Sequence, residues 1–395
     1  MSEPERDELV GRAPTIASRL AFLQRAGGVG GPVLTTALAF VVGGLVVLAT
    51  GANPFSTYRA IFDGSGLNWL FPWVTGQDRA FAAGNLQQTL LLTTSLLLCG
   101  LAVGFAFRSG LFNIGGRGQY LVGTIFSVWI GSSFVHSNGP LHILFAVAAA
   151  TLAGAAWAGI AGALKAFVGA HEVITTIMLN WIAVWVGSWL FGPSGALHGK
   201  GSFPESDAIT ANAHLPVFWG SPTLQGLDIG FFVALVCLLI YWLTLNRTTL
   251  GYEVRSVGFN PEASRYAGMS VARTYVVAMA LAGAFAGLAG AVDVLGWRFS
   301  VGVNDVQTSQ IGFIAIAVAV LGRNRAVGIF FASLLFGALL TGTSTRNLDP
   351  SVFRPELAQN LTLIIQGLVI LFVGADVLVL WLWARWRRPP RVARA

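Results

Sequence analysis

Residues 85–107 read NLQQTLLLTTSLLLCGLAVGFAF, without one charged side chain. A helix rising 1.5 Å per residue needs about 20 mostly apolar residues to cross the ~30 Å hydrocarbon layer of a bilayer. This stretch meets that requirement. Working outward, the same signature recurs at 32–50, 111–134, 141–165, 171–192, 228–246, 273–296, 308–322, 326–343 and 357–383. The reading is an all-α polytopic membrane protein of about ten transmembrane helices. The runs 308–322 and 326–343 are short and separated by Arg323, Asn324 and Arg325 alone. They read as a tight hairpin or as a partly re-entrant pair.

Composition agrees. Only 10% of the residues are charged, against roughly 25% in a soluble domain. A soluble 395-residue enzyme could not clothe its surface with so few, and 55% hydrophobic residues exclude disorder. Two cysteines exclude a disulfide framework and a Cys-based zinc site.

With the N-terminus inside and ten alternating spans, 18 of the 24 Lys and Arg fall on the cytoplasmic side. That is the bias of the positive-inside rule, and it places both termini in the cytoplasm of a bacterial inner membrane. The division is then a cytoplasmic N-terminal segment (1–31), a transmembrane unit (32–384) and a basic cytoplasmic tail (385–395). The tail suits anionic headgroups and requires no nucleic acid. The first run lacks a small-residue cleavage signature and reads as a retained helix. Outer loops 51–84 and 193–227 are rich in Pro and aromatic residues. They are either plain connectors with interfacial anchors or elements shaping an outer vestibule.

Three polar segments carry the information. In the inner loop 247–273, Asn260 is an N-cap, Pro261 suits the first helical position and Glu262 complements the dipole. Gly268 is a natural stop. The spacing predicts a two-turn helix outside the membrane, either an incidental interfacial helix or a rigid element that receives a push from a cytoplasmic motor. The second segment, Ser109–Tyr120, packs four glycines with Asn113, Arg117 and Gln119. Irregular backbone at membrane depth is tolerated only inside protein or beside water, so Asn113 and Gln119 are expected to face protein. In the third segment, Thr176 and Asn180 share one helix face with Glu172 a turn before. Such a stripe is packing glue, a path lining, or at its His171-Glu172 end a partner contact. A similar stripe, Asn304, Gln307, Thr308 and Gln310, opens the run at 308. The two interrupted entries near 113 and 307 point to an inverted internal repeat with a pathway between halves.

Absences narrow the function. No G-x-x-x-x-G-K-[ST] occurs, since Gly199-Lys200 continues to Gly201, so the chain is not expected to bind ATP itself. His171-Glu172 lacks the second His of H-E-x-x-H, and the other histidines are scattered, so no metal is expected. Only Asp293 and Asp376 lie toward helix interiors, each near a helix end. A proton-driven pump normally invests in more such acids.

At these residues the chain resembles the permease subunits of bacterial ABC importers of the branched-chain amino acid, simple sugar and nucleoside group, nearest to the nucleoside type. The carriers are Gly110-Leu111-Phe112-Asn113-Ile114-Gly115 with Gly118-Gln119, and His171-Glu172-Val173-Ile174-Thr175-Thr176-Ile177-Met178-Leu179-Asn180. They continue with Asn260-Pro261-Glu262-Ala263, Tyr266-Ala267-Gly268 and Leu321-Gly322-Arg323-Asn324. The resemblance implies a second permease subunit (sister or identical), a cytoplasmic ABC ATPase that binds ATP and Mg, and an extracytoplasmic substrate-binding lipoprotein. No cofactor would be held by this chain. Residues 262–268 look like the ATPase-docking EAA loop, without its usual Ile-x-Leu-Pro. Arg117 stands where family members commonly carry an acid. The expected coupling residues are Asn260, Glu262, Arg265, Tyr266 and Gly268. Those expected for the translocation path are Asn113, Gln119, Thr176, Asn180 and Gln307. The expected cargo is a nucleoside, with simple sugars or branched-chain amino acids as alternatives. The competing class is a secondary carrier that works alone.

Overall fold

A computed structural model describes residues 30–133, 138–221, 225–344 and a few positions between 360 and 371. Helix α1 (Gly30–Ala49) turns by 118° into α2 (Pro54–Gly64). The bend sits where Asn53 caps α2, its side chain accepting from the Phe55 N–H, with Pro54 preset for the first turn. Helix α3 (Gly76–Arg108) runs 33 residues, about 50 Å. The apolar window at 85–107 marks only part of it, because residues 76–84, GQDRAFAAG, contain no proline to break a helix and carry the charges that end the apolar run.

The chain then departs from the expected continuous span over 111–134. Residues 111–114 are not helical, and α4 begins at Gly116 and ends at Ser133. Helix α5 (Gly139–Ala163) widens into a π-helical turn, Leu164–Val168, stopped by left-handed Gly169. Helix α6 (Glu172–Phe191) follows, then a loop with a small antiparallel pair, β1 (Val217–Trp219) and β2 (Leu227–Asp228). Next come α7 (Gly230–Arg247), α8 (Thr249–Phe259), α9 (Pro261–Tyr266) and α10 (Val271–Asp293). Helix α10 ends like α5, in a π-helical turn (Val294–Arg298) stopped by a left-handed residue, Phe299. The expected span at 308–322 is two pieces, α11 (Val303–Thr308) and α12 (Ile311–Leu321), broken at Ser309-Gln310. Helix α13 (Ala326–Gly342) closes the described bundle.

The centre is α3, whose Leu96, Leu97, Leu98, Leu101 and Val103 are wholly buried against α10, α12 and α13. Helices α4, α5 and α10 meet without side chains between them. A Cβ on Gly283 would run into the Gly154 carbonyl, and one on Gly287 into that of Ala150. One on Gly123 would strike the Gly287 backbone. In lipid, where apolar burial does not drive helices together, such small-residue seams allow the close van der Waals contact that does.

Outside the helices, residues 205–215 are laced to the end of α10. Ser206, Ile209 and Leu215 donate backbone N–H groups to Val301, Phe299 and Leu295 at 2.8–2.9 Å. His214 stacks on Phe299 with centroids 4.1 Å apart. This loop is therefore ordered against the end of α10.

Among the described residues six helices are long and apolar enough to cross a membrane, or seven if the bent pair α1–α2 counts as one. Helix α13 is apolar but 17 residues long. The chain is a multi-pass membrane protein of mostly helical build. The N-terminal segment, the basic tail and nearly all of the run 357–383 lie outside the described residues.

Candidate functional site

The structure gathers four of the five expected path residues into one buried cluster. Asn113 and Gln119 exchange two hydrogen bonds, Asn113 Nδ2 donating to Gln119 Oε1 at 3.1 Å and Gln119 Nε2 to Asn113 Oδ1 at 3.0 Å. Asn113 Oδ1 also accepts from the Gly115 N–H at 2.9 Å. Asn180 accepts from the Gly118 N–H at 2.7 Å and donates to the Ile114 carbonyl at 2.9 Å. Thr176, one turn before it, donates back to the Glu172 carbonyl at 2.7 Å. All four side chains are buried. Non-helical backbone within the bundle needs partners for its N–H and C=O groups, and these amides supply them.

Gln307 stands apart. It is exposed on α11 with exposed Asn304 and Thr308, next to exposed Gln310 in the break, and its amide donates to Ser188 on α6 at 3.3 Å. Beside it, α6 exposes Trp181, Trp185 and Trp189 at four-residue spacing. Such a spacing puts the three rings on one face. Trp189 near the helix end fits an interfacial belt, whereas Trp181 at mid-helix does not.

Arg117 was counted among the inner-face cations, but it lies 95% buried inside the bundle, carried there by the segment 111–115. Its guanidinium donates to the Val306 and Gln307 carbonyls at 3.3 and 2.5 Å and sits 5.6 Å from the Phe313 ring centroid. It thus caps the end of α11, where the helix break leaves carbonyls without intrahelical donors.

Two ion pairs brace the chain reversals after the π-helical turns. Lys165 meets Glu172 at 2.8 Å and Arg298 meets Asp305 at 3.1 Å. Each joins a base in the widened turn to an acid in the first turn of the next helix, seven residues on.

A polar network that the sequence flagged only as a lone carboxylate surrounds Asp293. This fully buried residue accepts from Tyr120 Oη at 2.5 Å, from Trp297 Nε1 at 3.1 Å and from Ser95 Oγ. Its neighbour Asp228, at the end of β2, accepts from the Gly230 N–H at 2.7 Å through Oδ1. No described group hydrogen-bonds Oδ2. Burial first, with the Asp293 charge adding to it, pushes the Asp228 carboxyl up to about 6. The folded protein therefore holds a proton there that the unfolded chain has released above pH ~4. Stability from this group is present below that pH and is lost as pH rises to about 6. The two-unit difference is worth roughly 3 kcal/mol. In detergent, the melting temperature of Asp228→Asn relative to wild type is expected to rise between pH 4.5 and 6.5. A constant difference across that range would show that Asp228 does not titrate as stated.

Between α8 and α10, the expected short helix is present as α9. Asn260 Oδ1 caps the Ala263 N–H at 3.0 Å. Gly268, at φ +84°, ends the helix with its own N–H on the Arg265 carbonyl and that of Met269 on the Ser264 carbonyl. That is the paired bond pattern of a glycine-stopped helix. Glu262, Arg265 and Gly268 are exposed, and Phe259 and Tyr266 are 93% and 94% exposed. Ahead of α9, helix α8 abuts the end of α3. A Cβ on Gly258 would collide with the Arg108 carbonyl and come within 2.9 Å of the Gly110 nitrogen. Helix α8, which leads into α9, thus touches the backbone just before the segment that the amide cluster holds. Among the described residues no three His, Cys, Asp or Glu side chains come together to hold a metal.

The chain is similar to known proteins over most of its length. The family described as branched-chain amino acid transport system / permease component matches residues 85–374. The guanosine ABC transporter permease protein NupP of Bacillus subtilis is 36% identical over 349 residues, covering 87% of this chain and 92% of its own. The nucleoside ABC transporter permease protein NupB of Lactococcus lactis is 33% identical, covering 88% and 91%. The glucose ABC transporter permease protein TsgB13 of Haloferax volcanii is 34% identical, covering 87% and 86%.

Proposed function

The chain belongs to the branched-chain amino acid transport system permease component family, and from that premise we propose that it is the membrane subunit of an ATP-driven importer of nucleosides. The observation that carries the reading is the similarity, along most of the chain, to two permeases named for guanosine and nucleosides. TsgB13 favours a second reading, a simple sugar. In this proposal a cytoplasmic ABC ATPase supplies ATP and Mg chemistry, a substrate-binding lipoprotein delivers the solute, and a second permease completes the pathway in the inner membrane. About ten crossings are kept, α4, α13 and the run 357–383 included, with both termini cytoplasmic. The matched reversals at Lys165–Glu172 and Arg298–Asp305 support an inverted repeat.

Proteoliposomes carrying the chain with its second permease, ATPase and binding protein are expected to accumulate labelled guanosine or adenosine only with ATP in the ATPase compartment. Uptake driven by an ion gradient through this chain alone would refute the proposal. Accumulation of glucose but not nucleosides would select the sugar reading.

Coupling is assigned to Asn260, Glu262, Arg265, Tyr266 and Gly268. Their exposure and the rigid caps of α9 support a docking role, since a preformed element loses little freedom on binding. Replacing both Glu262 and Arg265 by Ala should leave folding intact, because both are exposed, yet lower ATPase co-purification and uptake at least tenfold. Wild-type levels of both would remove α9 from the coupling route. For the pathway, Gln307 with Asn304, Gln310 and the Trp181–Trp189 face is assigned to the lining. Asn113, Gln119, Thr176 and Asn180 form the wall behind it.

A further inference from the structure

A cavity of about 230 Å³ lies where the end of α4 meets two stretches of the loop that follows α6. Trp129, Ser132 and Ser133 come from α4, His198 from the first stretch, and Ser206 with Asp207 from the second. None of them belongs to the pathway or the coupling residues. The walls are fixed to one another. The Leu197 N–H donates to the Leu190 carbonyl of α6 at 3.0 Å, and the Gly199 N–H to the Glu205 carbonyl at 2.8 Å. The Thr210 N–H reaches the Gly131 carbonyl of α4 at 2.9 Å, and the Val301 N–H reaches Ser206 Oγ at 3.1 Å. Trp129 stands edge-on to Phe126, their ring centroids 5.7 Å apart. A preformed site of this kind loses little freedom on binding.

The polar groups along these walls mostly accept. Asp207 takes the Lys200 N–H on Oδ1 at 2.9 Å, and a carboxylate has lone pairs for further donors. His198 Nδ1 lies 3.2 Å from the Phe191 carbonyl, which can only accept, so in the neutral ring Nε2 is left as an acceptor. Ser132 and Ser133 donate to the Trp129 carbonyl and keep their oxygen lone pairs. Ser206 is the counterpart, since its oxygen accepts from Val301 and its proton remains to be given. An anion would meet the Asp207 charge. A metal ion would find His198 and Asp207, but among the described residues no third His, Cys, Asp or Glu joins them. An apolar molecule would strip water from these groups and replace none of it. A polyol ring suits them, with hydroxyls that donate and accept in turn and a C–H face to lie on an indole.

Size narrows the choice. At about 30 Å³ each, roughly eight waters fill the space. A pentose or hexose ring matches that volume, and a whole purine nucleoside exceeds it. A space so small also puts a single ring within reach of every wall. We infer that this cavity binds one monosaccharide ring, either a free sugar or the sugar of a nucleoside whose base stays outside. Asp207 accepts from neighbouring hydroxyls, and Trp129 covers the C–H face. Through the Ser206–Val301 bonds the site adjoins the start of α11, so a solute held here lies beside the helix that carries Gln307. The inference is independent of which solute is transported, and its test needs no ATPase.

The test is saturation-transfer NMR on the full chain in a detergent without a sugar headgroup, with ribose, glucose, adenosine and adenine as probes. Ribose or glucose is expected to bind saturably. Asp207→Asn and Trp129→Ala should each weaken that binding at least tenfold. Both side chains are exposed, so an unchanged melting temperature is expected of each variant. Competition by adenosine but not by adenine would assign the site to the sugar of a nucleoside, and competition by neither to a free sugar. Failure of both sugars to saturate overturns the inference, and so does undiminished binding by either variant. Adenine competing as well as adenosine would mark a base site, and displacement of the sugar by choline or calcium a cation site; each overturns it. If the variants misfold, a photoactivatable ribose on the wild-type chain decides. Label is expected on the peptides holding Trp129 or Asp207, and label confined to other peptides overturns the site.

Discussion

Gly287→Val is expected to abolish the folded bundle. A Cβ at this position would overlap the Ala150 carbonyl and lie 3.1 Å from the Gly154 Cα. The obstruction is helix backbone, which cannot swing aside as a long side chain would. Overpacking a well-filled interior costs about 1–3 kcal/mol, and more where backbone must separate. A helix pair held by close contact in lipid loses its main attraction when pushed apart. With a typical net stability of only about 5–15 kcal/mol, the variant should be absent from the monodisperse fraction on size-exclusion chromatography. Gly159→Ala, on the same α5, is the control. Nothing lies within 4 Å of its added carbon, and Ala favours a helix by about 1 kcal/mol over Gly. Monodisperse Gly287→Val protein with a wild-type melting temperature would mean that the α5–α10 seam is looser than described.

Asp293→Leu is expected to lower stability by about 3 kcal/mol or more, because each buried donor left without an acceptor costs roughly 1–3 kcal/mol. Three donors on three elements, Ser95, Tyr120 and Trp297, lose their common acceptor at once. Leu offers no replacement, whereas Asn keeps one carbonyl oxygen. The melting temperature should therefore fall in the order wild type, Asp293→Asn, Asp293→Leu. A Leu variant as stable as wild type would show that the donors find other partners.

How much of this was readable beforehand varied with the physics behind each feature. Helix α9 was legible because capping is local: Asn260, Pro261 and Gly268 specify start and stop within nine residues. The shared face of Thr176 and Asn180 was equally local. Their partner was not, because pairing Asn180 with the Ile114 carbonyl depends on how α4 and α6 pack. The run 111–134 misled through hydropathy, which does not distinguish Leu111 in non-helical backbone from Leu121 in a helix. The outer half of the α11–α12 span was missed for the opposite reason, since Asn304, Asp305 and Gln307 dilute the apolar signal. Asp293 stood out as a carboxylate, but two of its three donors, Tyr120 and Ser95, lie 173 and 198 residues away, beyond any local pattern. Arg117 looked like an inner-face charge until its fold position showed it fastened to α11.

The bare rings of Phe259 and Tyr266 have a consequence for how such a chain is handled, in the cell and at the bench. A copy made without whatever covers them presents two aromatic handles on a short knob outside the bilayer. Surveillance proteases and chaperones seize such handles, and in detergent they seed self-association. The yield of intact material should therefore follow the supply of its companion, and expressing both together is the way to obtain it.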